Sequence, residues 1–166
     1  IKPSTPVKSE ATPIESFRGE HSFLSNMSSS PIEFEGIKYP TVEHAFQAAK
    51  TVSREERLKI AEAVSPAAAK SMGRKVTLRP NWNNERVGVM EQLLRLKFES
   101  NPELMQKLID TGDAKLVEGN TWGDTFWGVS KGTGENNLGQ LLMKIRDEYR
   151  GAKPTAAKVE TAPLNP

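Results

Sequence analysis

Residues 31–50, PIEFEGIKYPTVEHAFQAAK, carry two hydrophobic periods back to back. In the first half Ile32 and Phe34 alternate with Glu33 and Glu35, Ile37 and Tyr39 follow, and Gly36 stands where a tight turn demands positive φ. This predicts a β-hairpin. In the second half Pro40-Thr41 opens a helix whose Val42, Ala45, Phe46 and Ala49 recur at i, i+3, i+4 and i+7. Glu43, Gln47 and Lys50 share a strip at the edge of that apolar stripe, and such a strip commonly lines a cleft.

Helical signals continue outward from this segment. Ser53-Arg54-Glu55-Glu56 reads as a capping box for a helix carrying Leu58, Ile60 and Ala61, and Ser65-Pro66 restarts the chain as a short helix closing near Gly73. Asn83 or Asn84 is the expected cap of the longest helix. Its stripe of Val87, Met90, Leu94 and Phe98, widened by Leu93 and Leu96, marks it as the expected central packing element. Asn101-Pro102 begins another helix with Leu104, Met105, Leu108 and Ile109, ended by Gly112. Lys115–Glu118 reads as a short strand before a Gly-rich loop, and Asn136 or Asn137 caps a last helix that turns Leu138, Leu141, Leu142, Ile145 and Tyr149 inward. The expected class is α+β, predominantly α-helical, as one domain over residues 17–150 with a minor hairpin or small sheet. Residues 1–16 and 151–166, rich in Pro, Ala, Thr and Lys without apolar spacing, are expected to be a disordered flank and tail. An opening without Met is expected of a piece of a longer polypeptide or of a processed chain.

Composition removes several function classes. With no cysteine, a disulfide framework, a thiolate zinc site and a Cys nucleophile are excluded. His21 and His44 are the only histidines, and no HxxxH or DxD spacing supports a metal, so neither metal nor cofactor is expected. The net charge of +2 argues against a non-specific grip on a nucleic-acid backbone. No apolar run approaches the roughly 20 residues that span a bilayer, and nothing resembles a signal peptide. The expected compartment is the cytoplasm, with the nucleus as alternative, and no membrane partner is expected.

Chemistry-bearing residues concentrate in a few places. Glu43 falls in the first turn of its helix, where free N–H groups and the helix dipole favour a carboxylate, which suits a base or a cation stabiliser. The plain alternative is a helix-start acid with Lys50 as a solvated neighbour. Trp82, Trp122 and Trp127 all read as loop residues next to polar ones, suited to stacking on bases or sugars, or to anchoring the core. Asp124 lies between the last two, and the Gly-rich turn at 131–136, running into a helix start, can offer backbone N–H groups to phosphate. Arg18, Lys70, Arg74, Lys75 and Arg79 are further phosphate candidates, with solvated surface as the alternative for each.

Taken in order, FRGEHSFLSNM, YPTVEHAFQAAK, SPAAAKSMGRK, RPNW and DTFWGVSKGTGENNLGQLLMKIR resemble the YbiA-like or NADAR (NAD and ADP-ribose) family over Phe17 to about Arg150. The resemblance implies a mostly helical N-glycosidase, a hydrolase acting either on ADP-ribose attached to guanine or on phosphoribosylamino-pyrimidine intermediates of riboflavin synthesis. It makes Glu43 the catalytic glutamate, Lys50 a motif lysine with a role at an opened sugar, and Trp82 and Trp127 site tryptophans. The bacterial type carries an acid just after its WG pair where this chain has Val129, which weakens the riboflavin reading and brings Asp124 forward as a substitute catalytic group. Expected substrate contacts are Arg18, Gly19, Phe23, Ser25, Asn26, Gln47, Gly73, Arg74, Trp82, Trp122, Trp127 and Gly128. The partners implied are a ribose-phosphate or ADP-ribose ligand and, as substrate, ADP-ribosylated DNA or RNA. The alternatives from other classes are a non-catalytic ADP-ribose or NAD reader and a nucleic-acid-binding module.

Overall fold

A computed structural model describes residues 11–151. The expected hairpin forms: β1 (Ile32–Phe34) and β2 (Ile37–Tyr39) pair antiparallel with Phe34 opposite Ile37. Its turn places Glu35 at φ 52° and Gly36 at φ 86°, the pair of positive values a two-residue turn needs to match strand twist. Alternation sends Ile32, Phe34, Ile37 and Tyr39 inward and leaves Glu33 and Lys38 in solvent.

Helix α1 (Val42–Ala49) follows at once. Thr41 caps it by accepting from the His44 N–H at 3.0 Å, and Asn26 accepts the Glu43 N–H at 3.0 Å. All eight residues of α1 are buried, the polar Glu43, His44 and Gln47 included. His44 is satisfied within the core: Nε2 donates to the Ala63 carbonyl at 3.1 Å, and Nδ1 takes the Thr41 hydroxyl at 2.8 Å.

Around α1 stand α2 (Arg54–Ala61), α3 (Pro66–Gly73) and α4 (Trp82–Glu99), with the hairpin against it as well. On the far side of α4 lie α5 (Pro102–Asp110) and α6 (Asn137–Gly151). The longest helix is therefore not the single centre. It shares that role with the shorter α1, because α4 keeps one face for charged residues such as Arg95 and Glu91, paired at 2.8 Å.

Local starts follow the sequence with exceptions. Ser53 and Ser65 cap α2 and α3 through their side chains, but the second half of the capping box is absent. Glu56 instead accepts from Thr51 at 2.5 Å and from the Thr77 N–H, linking α2 to the segment after α3. α4 starts earlier than Asn83 or Asn84: its cap position is Asn81, held at φ 63° with no side-chain capping bond, and Trp82 opens the helix. Trp82 is accordingly a buried helix residue and not a loop residue.

The expected strand at Lys115–Glu118 is displaced. Leu116 makes only a single parallel bridge to Ile14, while β3 (Gly119–Asn120) pairs parallel with β4 (Val129–Ser130). Leu116 and Asn120 are buried and hold that segment against the body. Asn136, just before α6, directs its side chain not along the helix but back to the Leu116 carbonyl and Glu118 N–H, both at 2.9 Å.

Ile14, within the stretch read as flank, gives its N–H to the Lys115 carbonyl and accepts from the Val117 N–H, each at 2.8 Å. Residues 1–10 and 152–166 lie outside the described part. Among the described residues, no helix is long and apolar enough to cross a membrane.

Candidate active site

One face of α1, the C-terminal end of α3, the N-terminal half of α4 and the loop between β3 and β4 meet around a cavity of about 700 Å³. Glu43 faces it from α1 with 9% of its surface exposed, and Gln47 one turn on donates from Nε2 to Glu43 Oε2 at 2.6 Å. Lys50 follows at the end of the same strip, so the spacing read from the sequence delivers all three to one wall.

Burial lowers the Lys50 pKa from its usual value. Glu43 opposes the shift, and the nearby charges of Arg74, Lys70 and Arg86 add to it.

Aromatic rings form a second wall. Phe46 of α1 packs against Trp82 at 5.2 Å between ring centroids and against Trp127 at 5.4 Å, the latter edge-on. Phe126 meets Trp127 edge-on at 4.8 Å, and the Arg86 guanidinium sits 3.6 Å over the Phe126 ring. Trp122 closes the rim and is 56% exposed, so it has indole surface to offer a ligand.

Cations outnumber acids here. Arg18, Lys50, Lys70, Arg74 and Arg86 line the cavity against Glu43, Glu118 and Asp124. Among the described residues, none of these five cations has an ion-pair partner. A concave surface with unspent positive charge and flat apolar faces fits a ligand that is both phosphorylated and ring-bearing.

Asp124 lines the cavity too, with a second task. Its Oδ1 accepts the N–H groups of Phe126 and Trp127 at 3.1 and 2.9 Å, bending the chain so that Trp127 reaches Phe46.

Several expected contacts lie elsewhere. Phe23 points into the core, with Lys107 above its ring at 5.6 Å. Gly19, at φ 56°, lets the chain turn after Arg18. Gly73 and Gly128 are places of close approach: an added Cβ would come within 1.9 Å of Gln47 Oε1 at the first and 2.1 Å of the Glu118 carbonyl oxygen at the second. None of these four lines the cavity, whereas Ser25 and Asn26 do.

The 131–136 turn, expected to offer N–H groups to phosphate, does not line the cavity. The N–H groups of Thr133, Glu135 and Asn136 go to the carbonyls of Ser130, Thr125 and Gly128, and the turn packs behind the loop. Of the other basic candidates, Arg79 is occupied by Glu85 and the Ala49 carbonyl, and Lys75 does not reach the cavity.

Two residues not singled out from the sequence matter most. Arg86 is one helical turn beyond Trp82, a signal hidden while Trp82 was read as loop. Glu118 lines the cavity from the segment before β3, and burial with the like charges of Asp124 and Glu43 pushes its pKa up to about 7, against Lys70 and Arg18.

With this geometry in hand, the chain can be set beside known proteins. Residues 13–150 match the model of the NADAR domain. The chain belongs to the NADAR family. Over 128 residues it is 42% identical to the N-glycosidase YbiA of Escherichia coli, an alignment covering 75% of this chain and 79% of that protein. The NMR structure of E. coli YbiA superposes with a TM-score of 0.76 at 37% identity, covering 93% of this chain and 92% of the other. A riboflavin biosynthesis protein of Vibrio vulnificus is 36% identical over 137 residues, 81% of this chain but 37% of that longer protein. The α-rich NADAR architecture expected from the motifs is thus the one observed, and two named relatives mark out the chemistry to test.

Proposed function

We propose that this NADAR-family chain hydrolyses the N-glycosidic bond of a phosphorylated N-riboside, and that its substrate is ADP-ribose carried on guanine. The observation that carries the reading is the placement of Glu43, buried in the wall of a cavity that Trp82, Trp127 and unspent cations also line. Cleavage of an N-riboside builds positive charge at the sugar's C1, so a fixed carboxylate beside it stabilises the transition state and takes a proton from the attacking water. Gln47 aims that carboxylate. Trp82, Trp127 and Trp122 supply faces for base and ribose, Lys50 stands on the sugar side near Glu43, and Arg18, Lys70, Arg74 and Arg86 suit phosphate. The size of the cavity and its spread of cations favour a ligand with more than one phosphate and two ring systems over a small phosphoribosyl compound.

The relative from Vibrio vulnificus supports a second reading, phosphoribosylamino-pyrimidine intermediates of riboflavin synthesis, because its name places it in riboflavin biosynthesis. Offering DNA with ADP-ribosylated guanine, the riboflavin intermediates and NAD in parallel, with mass spectrometry of the released sugar, separates the two. Release from guanine alone supports the first, and release from the pyrimidine alone overturns it. Glu43→Gln is expected to bind the accepted substrate by calorimetry yet lose about a hundredfold or more in rate. Equal rates would end the assignment of Glu43, and an intact ligand bound tightly by the parent would make the chain a reader.

A further inference from the structure

Three carboxyl groups face the cavity, and they are held in different ways. Glu43 takes a hydrogen bond from Gln47, and Asp124 takes two from backbone N–H groups. Among the described residues, nothing donates to the carboxyl of Glu118 or pairs with it. Its backbone, by contrast, is tied on both sides. The Glu118 N–H goes to Asn136 Oδ1 at 2.9 Å, and its carbonyl accepts from the Val129 N–H at 2.9 Å. Gly128 closes against the side chain, since a Cβ there would stand 2.7 Å from Glu118 Cγ. The residue is rooted firmly while its tip is left to the ligand.

Its surroundings favour the form that carries a proton. Asp124 and Glu43 face it as like charges, Lys70 and Arg18 oppose them, and Lys50, Arg74 and Arg86 stand on other walls of the same cavity. Two carboxyls set apart in this way, one held by a donor and one not, divide naturally into a base and an acid. N-glycoside hydrolysis needs both, because the electron pair of the broken C1–N bond ends on the base nitrogen and requires a proton there.

We propose that Glu118 is the general acid, donating its carboxyl proton to the base nitrogen as the C1–N bond breaks. The proposal rests on the N-glycosidase reading above and deepens it. In the balanced step, water adds its oxygen to C1 and gives one proton to Glu43. Glu118 gives its own proton to the leaving base and becomes a carboxylate. Return of the proton from Glu43 to Glu118 through solvent resets the site, and the sum is one water consumed, one sugar hydroxyl and one free N–H formed.

The test is the pH dependence of kcat/KM for the parent and for Glu118→Gln, on a substrate that the parent cleaves. The parent is expected to lose rate as pH rises through about 7, and the variant to be slower by about a hundredfold or more and flat over that range. A variant that keeps the alkaline decline, or stays within a few-fold of the parent, overturns the proposal while leaving the glycosidase reading intact. A parent inactive on every N-riboside removes that reading and this one with it. Should Glu118→Gln fail to fold, Glu118→Asp serves: its alkaline limb is expected to move, and an unmoved limb overturns the assignment.

Discussion

Gln47 donates from Nε2 to Glu43 Oε2 at 2.6 Å, and the amide that does so rests on the bare backbone of Gly73. The end of α3 therefore aims a side chain on α1. A methyl group at position 73 would stand 1.9 Å from Gln47 Oε1 and 2.9 Å from its Cβ, and the Cβ cannot swing aside. Gly73→Ala is expected to cost about 1–3 kcal/mol by overpacking and to lower the rate by about tenfold through misaiming of Glu43. Urea unfolding and steady-state kinetics measure the two, and a parent-like rate would show that Glu43 needs no help from Gln47.

Trp122 and Trp127 belong to one loop but answer to different forces. Trp122→Ala removes an exposed ring, so the unfolding midpoint is expected to stay within about 0.5 kcal/mol of the parent. KM should rise about tenfold if a base stacks there. Trp127→Ala opens the contacts with Phe46 and Phe126 and is expected to destabilise by about 2–3 kcal/mol. Identical behaviour of the two variants in thermal melts and kinetics would contradict this division.

Lys97 is fully buried on α4 with no carboxylate partner among the described residues. Its Nζ donates to the Phe23 carbonyl at 2.6 Å, the Ser25 carbonyl at 3.1 Å and Ser28 Oγ at 3.2 Å. It thereby fixes the segment that offers Ser25 and Asn26 to the cavity and caps Glu43. Lys97→Met fills the same space but leaves the Phe23 carbonyl without its donor, at about 1–3 kcal/mol, while the Ser25 carbonyl keeps the Ser28 N–H and hydroxyl, and the loss is partly offset by the lost burial of charge. Net destabilisation of about 2 kcal/mol is expected, with faster hydrogen exchange over residues 23–28. Slow exchange there in the variant would refute the tether.

Stability should carry the signature of Glu118. Its pKa is raised from 4.5 to about 7 in the folded chain by burial first, then by Asp124 and Glu43. Between those values the folded state holds more protons than the unfolded state, so this group's contribution is complete below about pH 4.5 and is lost as pH rises through about 7. Lys97, lowered by burial from 10.5 to about 7, acts in the opposite sense above about 7. Glu118→Gln leaves Lys97 in place, so the urea midpoint of the variant minus that of the parent isolates Glu118. That difference is expected to grow in the variant's favour from about pH 5 to about pH 8, and a difference independent of pH would contradict the burial of this carboxyl.

Most helices and the hairpin were legible because their period and caps agree, as at Thr41, Ser53 and Ser65. The Glu43–Gln47–Lys50 strip was legible for the same reason: helical spacing alone puts those side chains on one edge. Asn81 was missed because its left-handed backbone, not its side chain, starts α4, and with it went Trp82's place in the helix and Arg86 one turn on. Glu118 and Lys97 leave no trace in local pattern. One is defined by a loop that Asn136 ties down from eighteen residues away, the other by carbonyls more than seventy residues earlier. The 131–136 turn misled for a related reason. Its glycines signal backbone freedom, but the turn stands off the cavity and three of its N–H groups are spent inside the loop.

The bridge between Ile14 and Leu116 bears on where this domain can be cut. The carbonyl of Glu15 lies so close to Gly119 that a Cβ there would stand 2.2 Å away, and Phe17 and Arg18 already border the cavity. The chain ahead of Phe17 is thus the backing on which the Glu118 segment is mounted. A shortened polypeptide beginning at Phe17 would retain every side chain assigned to the chemistry and lose the rail that keeps one of them in line.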